Sequence, residues 1–78
     1  MNSKFDVRKL RKQADKLNGI IASRNLWVIT PEGKRRVINC EVMSEGLTVE
    51  DLYSGNTYDV TGNTFEDGYG QSVNISAL

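Results

Sequence analysis

The spacing of apolar residues changes near Gly19, and this change limits the folds that are open to the chain. Before it, four apolar residues recur at intervals of three and four: Val7, Leu10, Ala14 and Leu17. This spacing places them on one stripe of an α-helix. After Gly19, apolar and polar residues alternate over short runs, which is the period of a β-strand. The sequence therefore predicts one helix followed by a sheet.

The helix is predicted over residues 6–18. Asp6 is a preferred N-cap residue, and Phe5 has the spacing to Leu10 that a hydrophobic staple requires. Asn18-Gly19 predicts the end of the helix, because glycine readily adopts the left-handed conformation that caps a C-terminus. The part of the chain that follows, over residues 25–78, is predicted to be rich in β-structure.

Five short strands are predicted in this β-rich part: Leu26–Thr30, 35–42, 47–53, 57–61 and 72–77. Turns that contain glycine and asparagine separate several of them. Strict alternation in the second strand places Cys40 on the same face as Ile38 and Val42. No histidine is present to activate its thiol, so Cys40 is expected to fill the core.

The predicted fold class is α+β, with all 78 residues in one domain. The N-terminal amphipathic helix is followed by about five short antiparallel strands, which are expected to form a small bent sheet or a partial SH3-like barrel. In the order of its elements alone, the chain is similar to SH3-like and Sm-like barrels. Unpaired edges of so small a sheet favour association, so a homo-oligomer is also expected.

The two halves of the chain carry opposite charge. All ten basic residues lie within the first 36 positions, which contain three acidic residues. The remaining 42 residues contain seven acidic residues and neither lysine nor arginine. A formal net charge of zero therefore hides a strong asymmetry, which indicates polyanion binding by one end or head-to-tail association.

The composition also excludes several chemistries. The chain has no histidine and a single cysteine, so it cannot form an intrachain disulfide, a zinc site of cysteine and histidine, or a nucleophile paired with histidine. We therefore expect no enzymatic activity, no cofactor and no metal. We also expect a cytoplasmic protein without a membrane partner, because no apolar run is long enough for a secretion signal or a membrane span.

Nine cations are the candidate nucleic-acid-binding residues: Lys4, Arg8, Lys9, Arg11, Lys12, Lys16, Lys34, Arg35 and Arg36. The first six lie on the arc of the helix opposite its apolar stripe, and the last three begin the second strand. They would form one continuous patch if the helix docks beside the turn that precedes this strand. Trp27 is assigned to the core, with stacking on an exposed base as the alternative.

Three residues of the acidic half are the candidate protein-contact residues: Glu50, Asp51 and Tyr69. Two functions therefore remain open for a small non-enzymatic binding module. In the first, the module binds nucleic acid through the basic face of its helix. Alternatively, it is an inhibitor or adaptor, like many accessory proteins of phages and mobile elements, and occupies the surface of a protein partner. A structural subunit of a homo-oligomer is the third expectation.

Overall fold

The computed structural model describes residues 7–44 and 46–78. The helix α1 spans Val7–Arg24, and the strands that follow it are β1 (Leu26–Thr30), β2 (Gly33–Met43), β3 (Gly46–Asp51), β4 (Thr57–Asp59), β5 (Thr64–Asp67) and β6 (Ser72–Val73). A short 3-10 helix, Ile75–Ala77, follows β6. The predicted N-cap Asp6 and the predicted staple residue Phe5 lie outside the described residues.

The six strands form one antiparallel sheet in the order β4-β3-β2-β1-β5-β6. The sheet is open and is not closed into a barrel. The predicted α+β class, with an N-terminal helix before a small antiparallel sheet, is therefore confirmed, and β1 has the predicted bounds. The strands at the two edges contain three and two residues. Edges this short offer little backbone for pairing with another chain, and the predicted oligomer stays a prediction.

α1 packs on one face of the sheet, which we call the inner face, and the opposite face is the outer face. The buried apolar residues of α1 are Ala14, Leu17 and Ile20. They meet eight buried residues from the rest of the chain: Leu26, Val28, Val37, Cys40, Leu47, Val49, Val60 and Phe65. The core therefore lies between α1 and the inner face.

α1 ends six residues later than predicted, and the proposed stop at Asn18-Gly19 is wrong. Gly19 lies inside the helix, where its exposed position tolerates a residue without a side chain. The helix continues because Ile20 and Ile21 extend the apolar stripe onto the sheet. It ends where Asn25 adopts a left-handed φ of 62°, with the Asn25 N–H donating to Ile21 O at 3.3 Å.

A β-bulge at Asn39 changes the predicted faces of β2. The register with β3 shifts between Ile38 and Glu41, and Asn39 has a left-handed φ of 59°. The extra residue places Cys40 on the inner face, and Ile38 on the outer face. The prediction that Ile38 and Cys40 share a face is therefore wrong, whereas the burial of Cys40 is confirmed.

Several predicted strand bounds also differ from the structure: β2 extends beyond its predicted bounds at both ends, β4 stops at Asp59, two residues early, and β5 was not predicted. β3 stops at Asp51, two residues before the predicted end, because the carboxylate of Asp51 begins a turn. The predicted C-terminal strand is reduced to the two residues of β6, and the 3-10 helix takes the place of its second half. In that helix, the N–H of Ala77 donates to Asn74 O at 3.1 Å.

Candidate nucleic-acid interface

The exposed side of α1 carries a set of cations that we call the basic arc: Arg8, Lys9, Arg11, Lys12 and Lys16. All five are exposed, because the apolar stripe that turns toward the sheet is narrow and leaves the rest of the helix surface to solvent. Lys4, the sixth cation predicted on this surface, lies outside the described residues. Asp15 is the one acidic residue of α1.

Three members of the basic arc, Arg11, Lys12 and Lys16, form no ion pair with residues 7–44 and 46–78. The described ion pairs are elsewhere: Arg24 Nη1 lies 3.3 Å from Asp67 Oδ2, and Lys34 Nζ lies 2.6 Å from Glu66 Oε1. The positive charge of these three residues is therefore not neutralised by an ion pair within this part of the molecule.

The cations of β2 do not extend the basic arc into one continuous patch. Lys34 and Arg36 lie on the outer face, opposite Ile29 and Trp27 of β1, respectively. Lys34 is engaged by Glu66. The Arg36 guanidinium donates from Nη2 to Asn25 Oδ1 at 2.7 Å.

Arg35 is the one cation of this group on the inner face, where it pairs in register with the buried Val28. Alternation along β2 therefore divides the three cations between two sides of the sheet. The condition for a continuous patch, that α1 docks beside the whole group, is not met.

The outer face is acidic over β2, β3 and β4. Glu41 and Asp59 flank Thr48 in register, and Glu50 lies between Ile38 and Thr57. The outer-face cations Lys34 and Arg36 at the start of β2 contact Glu66 and Asn25, and no lysine or arginine occurs after position 36. Trp27, which was expected in the core, is instead half-buried on the outer face between Arg36 and Glu66.

Asp51, a predicted protein-contact residue, is buried and bonded within the chain. Its Oδ1 accepts hydrogen bonds from the backbone N–H groups of Tyr53 at 2.8 Å and Ser54 at 3.1 Å. The N–H of Ser54, followed by that of Tyr53, lowers the pKa of this carboxyl from its ordinary value of 3.8. The structure thus gives Asp51 a role in holding the turn, while Glu50 stays half-buried on the outer face.

A similar turn, closed by a buried aspartate, occurs twice in the chain. The segments 50–53 and 66–69 both read Glu-Asp-x-Tyr. As Asp51 does, Asp67 is buried and accepts backbone hydrogen bonds through Oδ1, from Tyr69 at 2.9 Å and from Gln71 at 3.0 Å. Both tyrosines project into solvent, with exposed fractions of 80% for Tyr53 and 75% for Tyr69. The sequence predictions include Tyr69 but not Tyr53, and the repeated four-residue pattern is the signal that would have identified the two tyrosines as a pair.

The turn after β5 is attached to the C-terminal end of α1. The Gly68 N–H donates to Arg24 O at 2.7 Å and so satisfies a carbonyl that the helix leaves open. Arg24 also pairs with the buried carboxylate of Asp67. A side chain at position 68 would overlap the Arg24 carbonyl, so this approach requires glycine. Tyr69 therefore lies beside the C-terminal end of α1, the helix that carries the basic arc.

Cys40 and Asn18 join the helix to the bulge of β2. Asn18 Nδ2 donates to Cys40 O at 3.1 Å, and Asn18 Oδ1 accepts from Cys40 N at 2.8 Å. Burial, and secondly the charge of Glu41, raise the pKa of the Cys40 thiol to about 11. The thiol is protonated at neutral pH, which is unfavourable for nucleophilic chemistry.

A cavity of about 490 Å³ opens between the N-terminal half of α1 and the sheet. Its apolar lining includes Leu10, Leu47, Val60, Val73 and Ile75. None of the described residues that line it is charged. The cavity therefore offers no charged group to a phosphate, and none of its lining residues belongs to the basic arc.

Comparison with protein-family models, with curated proteins and with solved structures gives no significant match. Within the described residues, no helix has the length and apolar character needed to cross a membrane. The same residues contain no group of three or more histidine, cysteine, aspartate or glutamate side chains that could hold a metal ion. The geometry of the chain itself is therefore the basis for a functional proposal.

Proposed function

We propose that this chain binds nucleic acid through the phosphate backbone, using the basic arc of α1. The observation that carries the proposal is the arrangement of the arc, in which Arg8, Lys12 and Lys16 follow one another at intervals of four residues. Side chains with this spacing are neighbours on a helix surface, about 6 Å apart along the axis. Lys9 and Arg11 lie on either side of this line and widen the basic surface that a polyanion would meet.

The arc opposes the stability of its own helix, which supports a role in binding. Like charges four residues apart on a helix cost about 0.2–0.5 kcal/mol each. The first turn of α1 also contains no acidic residue, although the helix dipole favours acids there. Within the described residues no carboxylate pairs with Arg11, Lys12 or Lys16. An external anion would relieve the repulsion between Lys12 and Lys16, because phosphates would supply the counter-charge that these two residues lack.

The proposal is tested with the triple variant R11Q/K12Q/K16Q and a fluorescein-labelled DNA strand at about 50 mM salt, where phosphate contacts are strong. We expect the variant to bind at least about tenfold more weakly than the unmodified chain. The slope of log K against log salt should fall by about 2 for a single strand, because three phosphate contacts are lost. Circular dichroism checks that the helix is retained.

The matched control is K34Q/R35Q/R36Q, which removes the same number of charges from β2. Because β2 directs these cations to two faces and engages two of them internally, we expect the control to keep most of its affinity. An equal loss in both variants would show that net charge, and not the basic arc, determines binding. An unmodified chain that does not bind DNA or RNA at about 50 mM salt would refute the proposal.

A protein partner is the second candidate function, and the acidic outer face favours it. Glu41, Glu50 and Asp59 lie on neighbouring strands with no cation among them, so they fit a basic groove on a partner. We propose that an inhibitor or adaptor with this fold would act by occupying such a groove.

The two candidates are separated by co-purification from native extract with and without nuclease. A partner that survives nuclease and is lost with E41K/E50K would support the protein-binding function. Retention that depends on intact nucleic acid, and that is unchanged in E41K/E50K, would favour the basic arc instead.

A further inference from the structure

Tyr69 is an exposed aromatic residue in a fixed position beside the basic helix. Its side chain is 75% exposed, while its backbone N–H is bonded to Asp67 Oδ1 at 2.9 Å. The turn that carries it is fastened to α1 by the Gly68–Arg24 hydrogen bond and by the Arg24–Asp67 ion pair. The ring therefore has apolar surface in contact with water, and the backbone that carries it is already ordered.

The distance along α1 suits a short stretch of nucleic acid. From Arg8 to Arg24 the helix rises about 24 Å, which corresponds to about seven nucleotides at the 3.4 Å spacing of stacked bases. The basic arc ends at Lys16, and a strand that continues along α1 for about 12 Å, the rise from Lys16 to Arg24, reaches the turn that carries Tyr69. Aromatic rings beside a line of cations stack on bases, and a base is free to stack in this way when it is unpaired.

We propose that the ligand of the basic arc is single-stranded nucleic acid, with one base stacked on Tyr69. This inference rests on the proposed function and adds the class of strand to it. Tyr53 does not have this role. Its turn belongs to the same Glu-Asp-x-Tyr pattern, but it is bonded to β2, where Leu52 N donates to Arg36 O, whereas the turn of Tyr69 is bonded to the end of α1.

The test compares one DNA strand of about 15 nucleotides with the same strand annealed to its complement, at about 50 mM salt. We expect the unmodified chain to prefer the single strand. Y69A should weaken single-strand binding by about tenfold to a hundredfold and leave duplex binding unchanged, since stacking on one base has this magnitude. Y69F should bind as the unmodified chain does, because the ring stacks and the hydroxyl is not needed.

Y53A is the matched control, because Tyr53 has a similar exposure and the same type of turn. We expect it to retain its single-strand affinity. Equal losses in Y69A and Y53A, or no loss in Y69A while both forms of DNA still bind, would overturn the stacking inference alone. Failure of the unmodified chain to bind either form would refute the proposed function itself. If Y69A keeps its DNA affinity but no longer retains a protein from nuclease-treated extract, Tyr69 is a protein contact.

Discussion

Single side chains connect elements of this fold that lie far apart in the sequence. Asn18 supplies both a donor and an acceptor to the backbone of Cys40, which lies just after the β2 bulge. Buried backbone groups require such partners, because leaving one unpaired costs about 1–3 kcal/mol. The sequence predicted that the helix ends at Asn18-Gly19, because glycine commonly caps the C-terminus of a helix. Its contact with Cys40 depends on how the helix docks, and local spacing carries no information about that.

Asp51 should make the stability of the fold depend on acidic pH. Its pKa in the folded chain is below the ordinary value of 3.8, because the Ser54 and Tyr53 amides donate to the ionised form. Its contribution to stability is therefore present above the unfolded pKa and is lost as pH falls through the folded pKa. The variant D51N keeps an acceptor for the two amides but cannot ionise.

We expect the difference in unfolding free energy between the unmodified chain and D51N to be constant above about pH 5 and to shrink as pH falls below about 4. Urea unfolding, followed by the fluorescence of Trp27, measures this difference. A difference that stays the same down to about pH 2 would show that the charge of Asp51 is not coupled to folding.

At the scale of elements, the position where α1 ends and the conformation of the turn after β5 depend on each other. The helix extends past Gly19 because its last turns pack Ile20 on the sheet. The helix can end at Arg24 because Gly68 has no side chain to obstruct the close approach of the Arg24 carbonyl. Sequence periodicity predicted the helix and the burial of Ala14 and Leu17 correctly, but Val7 of the predicted stripe is 50% exposed. The end of the helix is decided by a contact with a turn 44 residues later in the chain.

Two glycine substitutions should therefore have opposite effects. Gly19→Ala adds a methyl group to an exposed helix position with nothing within 4 Å, so we expect it to raise the unfolding free energy by about 0.8–1.0 kcal/mol. Gly68→Ala pushes its methyl group into the Arg24 carbonyl, so we expect a loss of roughly 1–3 kcal/mol.

Urea unfolding of both variants, measured beside the unmodified chain, tests whether the unfolding free energy rises in Gly19→Ala and falls in Gly68→Ala. The substitution is chemically identical at the two positions, so each variant serves as the control of the other. Destabilisation by Gly19→Ala would contradict a continuous helix through this position, and a neutral Gly68→Ala would contradict the tight approach of the turn to α1.

At the scale of the whole molecule, the fold places opposite charges on opposite sides. The basic arc faces away from the sheet on one side, and Glu41, Glu50 and Asp59 lie on the outer face on the other. The molecule measures 41 × 22 × 18 Å. At about 0.1 M salt the screening length is about 10 Å, so each side interacts with a charged surface largely on its own.

Although its formal net charge is zero, we expect the chain to be retained at pH 7 by a cation exchanger as well as by an anion exchanger. R11Q/K12Q/K16Q should lose retention on the cation exchanger and gain it on the anion exchanger. Elution of the unmodified chain in the void volume of both columns would contradict the separation of charge. This measurement needs no nucleic acid, so it tests the surface independently of its proposed ligand.

The sequence by itself determined the order of helix and sheet, the burial of Ala14 and Leu17 in α1 and the uneven distribution of charge. These features are local, because periodicity and composition act over neighbouring residues. The tertiary structure alone decided where α1 ends, which face each cation of β2 occupies, and how Asp51 and Asp67 are used. Each of these depends on a bulge or on contacts such as Asn18 with Cys40 and Gly68 with Arg24. Residues far apart in the chain form such contacts when helix and sheet pack together, so no local pattern records them.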